Sequence, residues 1–173
     1  MGEWGRRQLR KHLPIYYHSA GYAEEHHQTE SYRNSYKLNL MCRDAICEAI
    51  DKHYQNDRLD TAAVSEVVSQ YGFERTMLVL ANTVRQKEYD GRFLPDNKKW
   101  SHTLLTPCDM LGKRGRKFMA DKAHPGLVDL FITQVRREHE RIFGRTSVKT
   151  ALKENSTQAA AEQKPHKKSE QSL

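Results

Sequence analysis

The sequence lacks any long apolar run. The longest, Met77 to Ala81, has five residues, whereas a membrane-spanning helix needs about twenty. No charged segment leading into an apolar stretch opens the chain, so secretion by a signal peptide is not expected. Cysteine is scarce and odd in number. Cys42, Cys47 and Cys108 have no framework spacing, which fits a reducing cytoplasm. The glycines never fall in a phosphate-binding loop or a dinucleotide fingerprint, and no G-x-S-x-G nucleophile elbow exists. Acidic residues are in deficit: 22 Asp and Glu face 29 Lys and Arg, for a net charge of +7.

What is present suits one domain with a real core, since 173 residues are too few for two comfortable ones. The charge excess is unevenly placed. The segment 145–173 carries +3, leaving +4 for the rest. Arg6, Arg7, Arg10 and Lys11 form one basic cluster, and Lys113, Arg114, Arg116 and Lys117 form another. Such a balance makes nucleic acid or an acidic protein surface the natural partner class, although charge runs are often only solvated faces.

The periodicity predicts a mainly α fold: a bundle of four to five helices, a basic loop with room for a small β-ribbon, and a disordered C-terminal tail. Residues 1–30 lack a sustained period and contain Pro14, so they are read as a loosely ordered arm holding one short helix or strand. Residues 31–144 form the helical binding domain and 145–173 the tail, which has no core-forming composition.

Within the domain, the first helix runs from Ser31 to Tyr54, with Leu38, Cys42, Ala45, Ile46, Ala49, Ile50 and His53 on one face. The second starts at Asp60, an N-cap, and buries Val64, Val67, Val68 and Tyr71 before Gly72 caps it. The third, Glu74 to Lys87, is apolar around more than one face and is expected at the centre. Asp90-Gly91 is a turn, and Pro95 opens a short helix to His102. The punctuated segment 103–123 is read as the basic loop. A last helix after Pro125-Gly126 uses Leu127, Leu130, Phe131, Val135 and Ile142, ending at Gly144.

Nine histidines invite a metal test. Cys42 and Cys47 diverge by roughly 140° around a helix and do not grip one ion. His26-His27 has no partner at ligand spacing. Asp44, Glu48 and Asp51 share a helical face and could in principle hold Mg²⁺ for nuclease chemistry. Arg43 and Lys52 beside them favour a charge-paired solvated face. No metal, cofactor or catalytic residue is therefore assigned. The segment Asn82 to Trp100 interleaves cations, amides and aromatics, a mixture suited to phosphate contacts beside stacking rings. Phe93 and Trp100 equally suit packing of the turn onto the core. The candidate binding residues are Arg85, Lys87, Arg92, Lys98, Lys99 and Trp100 from this segment, with Lys113, Arg114, Arg116 and Lys117 from the basic loop.

Several blocks resemble a domain-of-unknown-function family common in bacterial conjugative elements and phages. They are Tyr32-Arg33-Asn34-Ser35-Tyr36-Lys37-Leu38-Asn39, Cys42-Arg43-Asp44-Ala45-Ile46 and Tyr71-Gly72-Phe73-Glu74-Arg75. Leu80-Ala81-Asn82-Thr83, Lys87-Glu88-Tyr89-Asp90-Gly91-Arg92-Phe93 and Asp96-Asn97-Lys98-Lys99-Trp100 complete the set. The likeness covers roughly residues 31–140. Leu94-Pro95 and the basic tail depart from the pattern. Some small proteins with such a domain resemble type II-A anti-CRISPR inhibitors of Cas9. The resemblance implies a non-enzymatic protein that binds Cas9 or its guide RNA complex, with DNA or RNA backbone as a further partner. An accessory DNA-binding protein of conjugation is the alternative expectation, and a nuclease acting on guide RNA or DNA the third.

Overall fold

The computed structural model describes residues 13–144; the basic cluster at 6–11 and the tail at 145–173 lie outside them. The fold is mainly α-helical with one small two-stranded sheet. A short helix α1, Ala20–Glu25, leads into the long α2, Thr29–His53. Two strands, β1 (Tyr54–Gln55) and β2 (Arg58–Leu59), pair antiparallel, Tyr54 opposite Leu59. Asn56 and Asp57 make the hairpin turn with positive φ, a conformation that Asn and Asp tolerate better than most residues. The expected ribbon thus lies between the first two long helices, whereas the basic loop contains two 3₁₀ turns, Cys108–Met110 and Gly112–Phe118.

Helix α3 spans Ala62–Gln86 and is bent at Gly72, whose φ of 81° and ψ of 162° lie in a region open essentially to glycine alone. The second and third expected helices are the two halves of this element. Gly72 separates them by an extended, positive-φ link instead of a left-handed cap. The helix begins at Ala62 with Thr61, not Asp60, at its N-cap, and the Asp60 carboxylate accepts from the Ala62 N–H at 2.9 Å from one residue further out. Every residue from Arg75 to Val84 is buried, so the second half of α3 is the centre of the fold. Helix α2 packs along it with Leu38, Cys42, Ile46, Ala49 and Ile50. Ala45 and His53, assigned by periodicity to the same stripe, are only half-buried. Burial pushes the Cys42 thiol up to about 12, making it a core group and not a reactive one.

Helix α4, Pro95–Ser101, packs on α3, and α5, Pro125–His139, buries Val128, Phe131, Ile132 and Val135. Its face is rotated from the expected one. Leu130 and Ile142 are exposed, and Val128 and Ile132 take their place. Val128, Phe131, Ile132 and Val135 make a complete helical stripe, and Asp129 beside it is buried with hydrogen bonds from Leu94 and Asn97 of the α4 region. The chain divides into two units after Arg136. In the second, the last turn Glu140–Gly144 widens to π geometry, and Arg141 pairs with Glu138.

Candidate nucleic-acid interface

The basic turn Gly112–Phe118 is held from below by polar side chains of α3. Asn82, 1 % exposed, donates from Nδ2 to the Gly115 carbonyl at 2.7 Å. One turn further along, Gln86 donates to the Gly112 carbonyl at 2.8 Å. Thr83 accepts from the Ala120 N–H at 2.9 Å and donates back to the Val79 carbonyl of its own helix. From α2, the Arg43 guanidinium donates to the Lys117 carbonyl. The bonds from Asn82, Gln86 and Arg43 each satisfy a carbonyl of the tight 3₁₀ turn.

Two glycines permit this seating. Gly112 has φ of 58°. Gly115 lies so close to α3 that a Cβ there would stand 2.5 Å from Asn82 Oδ1 and 2.5 Å from the Met110 carbonyl oxygen. Phe118, 1 % exposed, plugs the end of the turn into the core. With Gly115 and Phe118 turned inward, Lys113, Arg114, Arg116 and Lys117 are all exposed. Among the described residues none of the four enters an ion pair. The result is four cations on one short, anchored stretch of backbone.

The other candidate residues have different surroundings. Arg85 is turned inward, its guanidinium donating to Thr106 Oγ1 and to the carbonyls of Ser101 and Leu104. Burial holds its pKa below the ordinary value. Arg92 forks onto Asp90 with bonds of 2.9 and 2.7 Å, which hold that carboxyl below the usual carboxylate range. Trp100 packs on the core, with the Arg136 guanidinium carbon 5.5 Å from its ring centroid. Lys87 is half-buried at the end of α3. Lys98 is half-buried and Lys99 exposed on α4.

The amides of the Asn82 to Trp100 segment are also engaged. Asn97, 1 % exposed, donates to Asp129 Oδ1 at 2.9 Å and accepts from Arg136 at 2.7 Å, while the Leu94 N–H donates to the same carboxylate oxygen. This block docks α4 onto α5. Asp44 pairs with Arg43 at 2.9 Å, and among the described residues no group of three or more His, Cys, Asp or Glu is placed to hold a metal ion. An open cleft at the hairpin is lined by Lys52, His53 and Arg58, among others, but Lys52 and His53 both lean on Glu66.

Sequence reasoning did not assign Arg43, Gln86 and Gly115 as supports of the turn. Asn82 and Gln86 are four apart on one helix, so their shared direction was available; their targets, 33 and 26 residues on, were not. No curated protein and no solved structure matches the chain. The family described as protein of unknown function (DUF3849) matches residues 15–140, nearly the whole of the described chain, and the protein belongs to that family.

Proposed function

We propose that this protein is a non-enzymatic binder of nucleic-acid backbone, in which the basic turn Gly112–Phe118 is the contact surface. The observation that carries the reading is the pairing of four exposed cations with a backbone tied down at Gly112, Gly115, Lys117 and Ala120. Lysine and arginine gain most from phosphate when little ordering remains to be done on binding. An anchored turn meets that condition better than an equally charged free loop.

The resemblance of some small proteins with such a domain to anti-CRISPR inhibitors suggests a narrower form of the proposal. In it the protein is a mobile-element inhibitor that engages Cas9 or its guide RNA complex and blocks DNA targeting or cleavage. The test is a cleavage assay with Cas9, guide and target, run with the full chain and with a variant reversed at Lys113, Arg114, Arg116 and Lys117. Inhibition by the first and not the second is expected. Nucleic-acid binding without any effect on Cas9 would instead make the chain an accessory DNA-binding protein of conjugation. Metal-dependent cleavage of guide RNA or DNA by the chain alone would replace binding with nuclease chemistry.

A further inference from the structure

Seven aromatic rings form a row that begins on the N-terminal segment and ends inside the basic turn. His26 stacks on Tyr22 at 3.8 Å between ring centroids, and Tyr22 on His18 at 3.9 Å, both nearly parallel. His18 meets the edge of Tyr16 at 5.9 Å, and Tyr16 that of Tyr32 at 6.0 Å. Tyr32 leans on Tyr36 at 6.1 Å, and Tyr36 on Phe118 at 5.1 Å. Phe118 is the last residue of the turn that presents the four cations.

The row is fixed along its length. Tyr16 donates its hydroxyl to Gln28 and its N–H to Ser35 Oγ. Tyr32 donates to Asp109. A His26 ring nitrogen lies 2.9 Å from the Tyr22 carbonyl. The segment that carries Tyr16 is itself held by Arg75, 2 % exposed, which donates to the Leu13 and Pro14 carbonyls, Ser35 and Asn39. At its far end the row is open to solvent: His18 and His26 are exposed and Tyr22 half-buried. Nothing in the core requires a three-ring stack there.

We infer that the row is a base-stacking platform, and that the nucleic acid bound by this protein is single-stranded, with phosphates at Lys113, Arg114, Arg116 and Lys117 and an unpaired base on the His18–Tyr22–His26 stack. This deepens the basic-turn proposal and rests on it. Rings already ordered lose little freedom on binding, and every base offers a π-face, so such a platform tolerates any sequence. A duplex hides its base faces and gains only the phosphate contacts.

Fluorescence anisotropy of labelled oligothymidylate, and of a duplex of equal charge, measures both parts with the full chain. The expected result is tighter binding of the single strand. H18A/H26A should weaken that binding about fivefold or more, leave duplex affinity and melting temperature unchanged, and be rescued by H18F/H26F, which keeps the rings and removes their nitrogens. Reversal of the four turn cations should weaken both ligands. Equal affinity of the wild type for the two ligands, or an alanine pair that changes neither or both alike, overturns the platform while the turn proposal stands on the reversal variant. Failure of the reversal variant to weaken either ligand overturns the turn proposal by itself.

Discussion

The segment 90–100 and the turn 112–118 are matched in sequence chemistry: each mixes cations, glycine and a large aromatic. In the fold they are opposites. In the first, Arg92 is consumed by Asp90, Asn97 by Asp129, and Trp100 by the core and Arg136. In the second, the side chains that hold the turn come from outside it, from Arg43, Asn82 and Gln86, so its own cations are left for solvent. Arg92 is neutralised by a carboxylate of its own segment, while Lys99 and the four turn cations stay exposed and enter no ion pair among the described residues. In the turn, several such cations share one short, anchored stretch of backbone.

The largest effect expected from this contrast falls on the first region. Asp129→Ala strands one buried Asn97 bond and a part-buried Leu94 N–H, at a cost of roughly 1–3 kcal/mol. Urea unfolding measures it, and a destabilisation below about 0.5 kcal/mol would show that the α4–α5 junction does not depend on the carboxylate. In the second region the sensitive position is a glycine. Gly115→Ala places a methyl against the Met110 carbonyl and Asn82, and about 1–3 kcal/mol of overpacking is expected. Nucleic-acid affinity should fall with it, since the cations lose their fixed spacing. Unchanged affinity would show that the turn does not need its anchoring.

A smaller effect concerns Tyr32, the ring of the row that is bonded to Asp109 in the turn Cys108–Met110. Burial first, and its hydrogen bond to Asp109 second, push this phenol up to about 12, from about 10 in an unfolded chain. The folded state therefore favours the neutral phenol. That stability is fully present below pH about 10 and is lost as pH rises from there through about 12. Burial also raises Tyr71 to about 12, so Tyr32→Phe should reduce the alkaline loss without abolishing it. Denaturant midpoints at neutral and alkaline pH for both proteins check this, and an identical loss in the variant would exclude Tyr32.

The smallest stability effect is reserved for the surface itself. Reversing Lys113, Arg114, Arg116 and Lys117 should move stability by less than about 0.5 kcal/mol per residue. It should also reduce the slope of log affinity against log salt by roughly 0.7–0.9 for each phosphate that the variant no longer neutralises. A large drop in melting temperature would mean that the four side chains belong to the fold and that the two regions do not differ.

Much of the fold was legible in the chain. Apolar residues at three- and four-residue spacings marked α2 and both halves of α3, because one helical face must be dry. Gly72 marked the bend, and Pro95 the start of α4. For α5 two stripes at three- and four-residue spacings compete, Leu127–Leu130–Phe131 and Val128–Phe131–Ile132–Val135. The second is the buried one, and Asp129 beside it is hydrogen-bonded to Asn97 and the Leu94 N–H. The ribbon was legible as a structure and not as a place, since Asn56-Asp57 is a turn signal no stronger than the glycines of 112–115.

The sequence by itself determined composition, charge, helical class and the position of the cations, all of which follow from local periodicity and counting. Which cations face outward was decided by tertiary structure alone. Arg85 and Arg116 are chemically the same side chain, one turned onto carbonyls of its own chain and the other left exposed. The physical reason is that a guanidinium seeks acceptors wherever they stand, and the nearest carbonyls are fixed by elements far apart in the chain. The ring row has the same origin. Four-residue spacing sets Tyr22 by His26 and Tyr32 by Tyr36, but only folding joins them through Tyr16 and brings the last of them to Phe118.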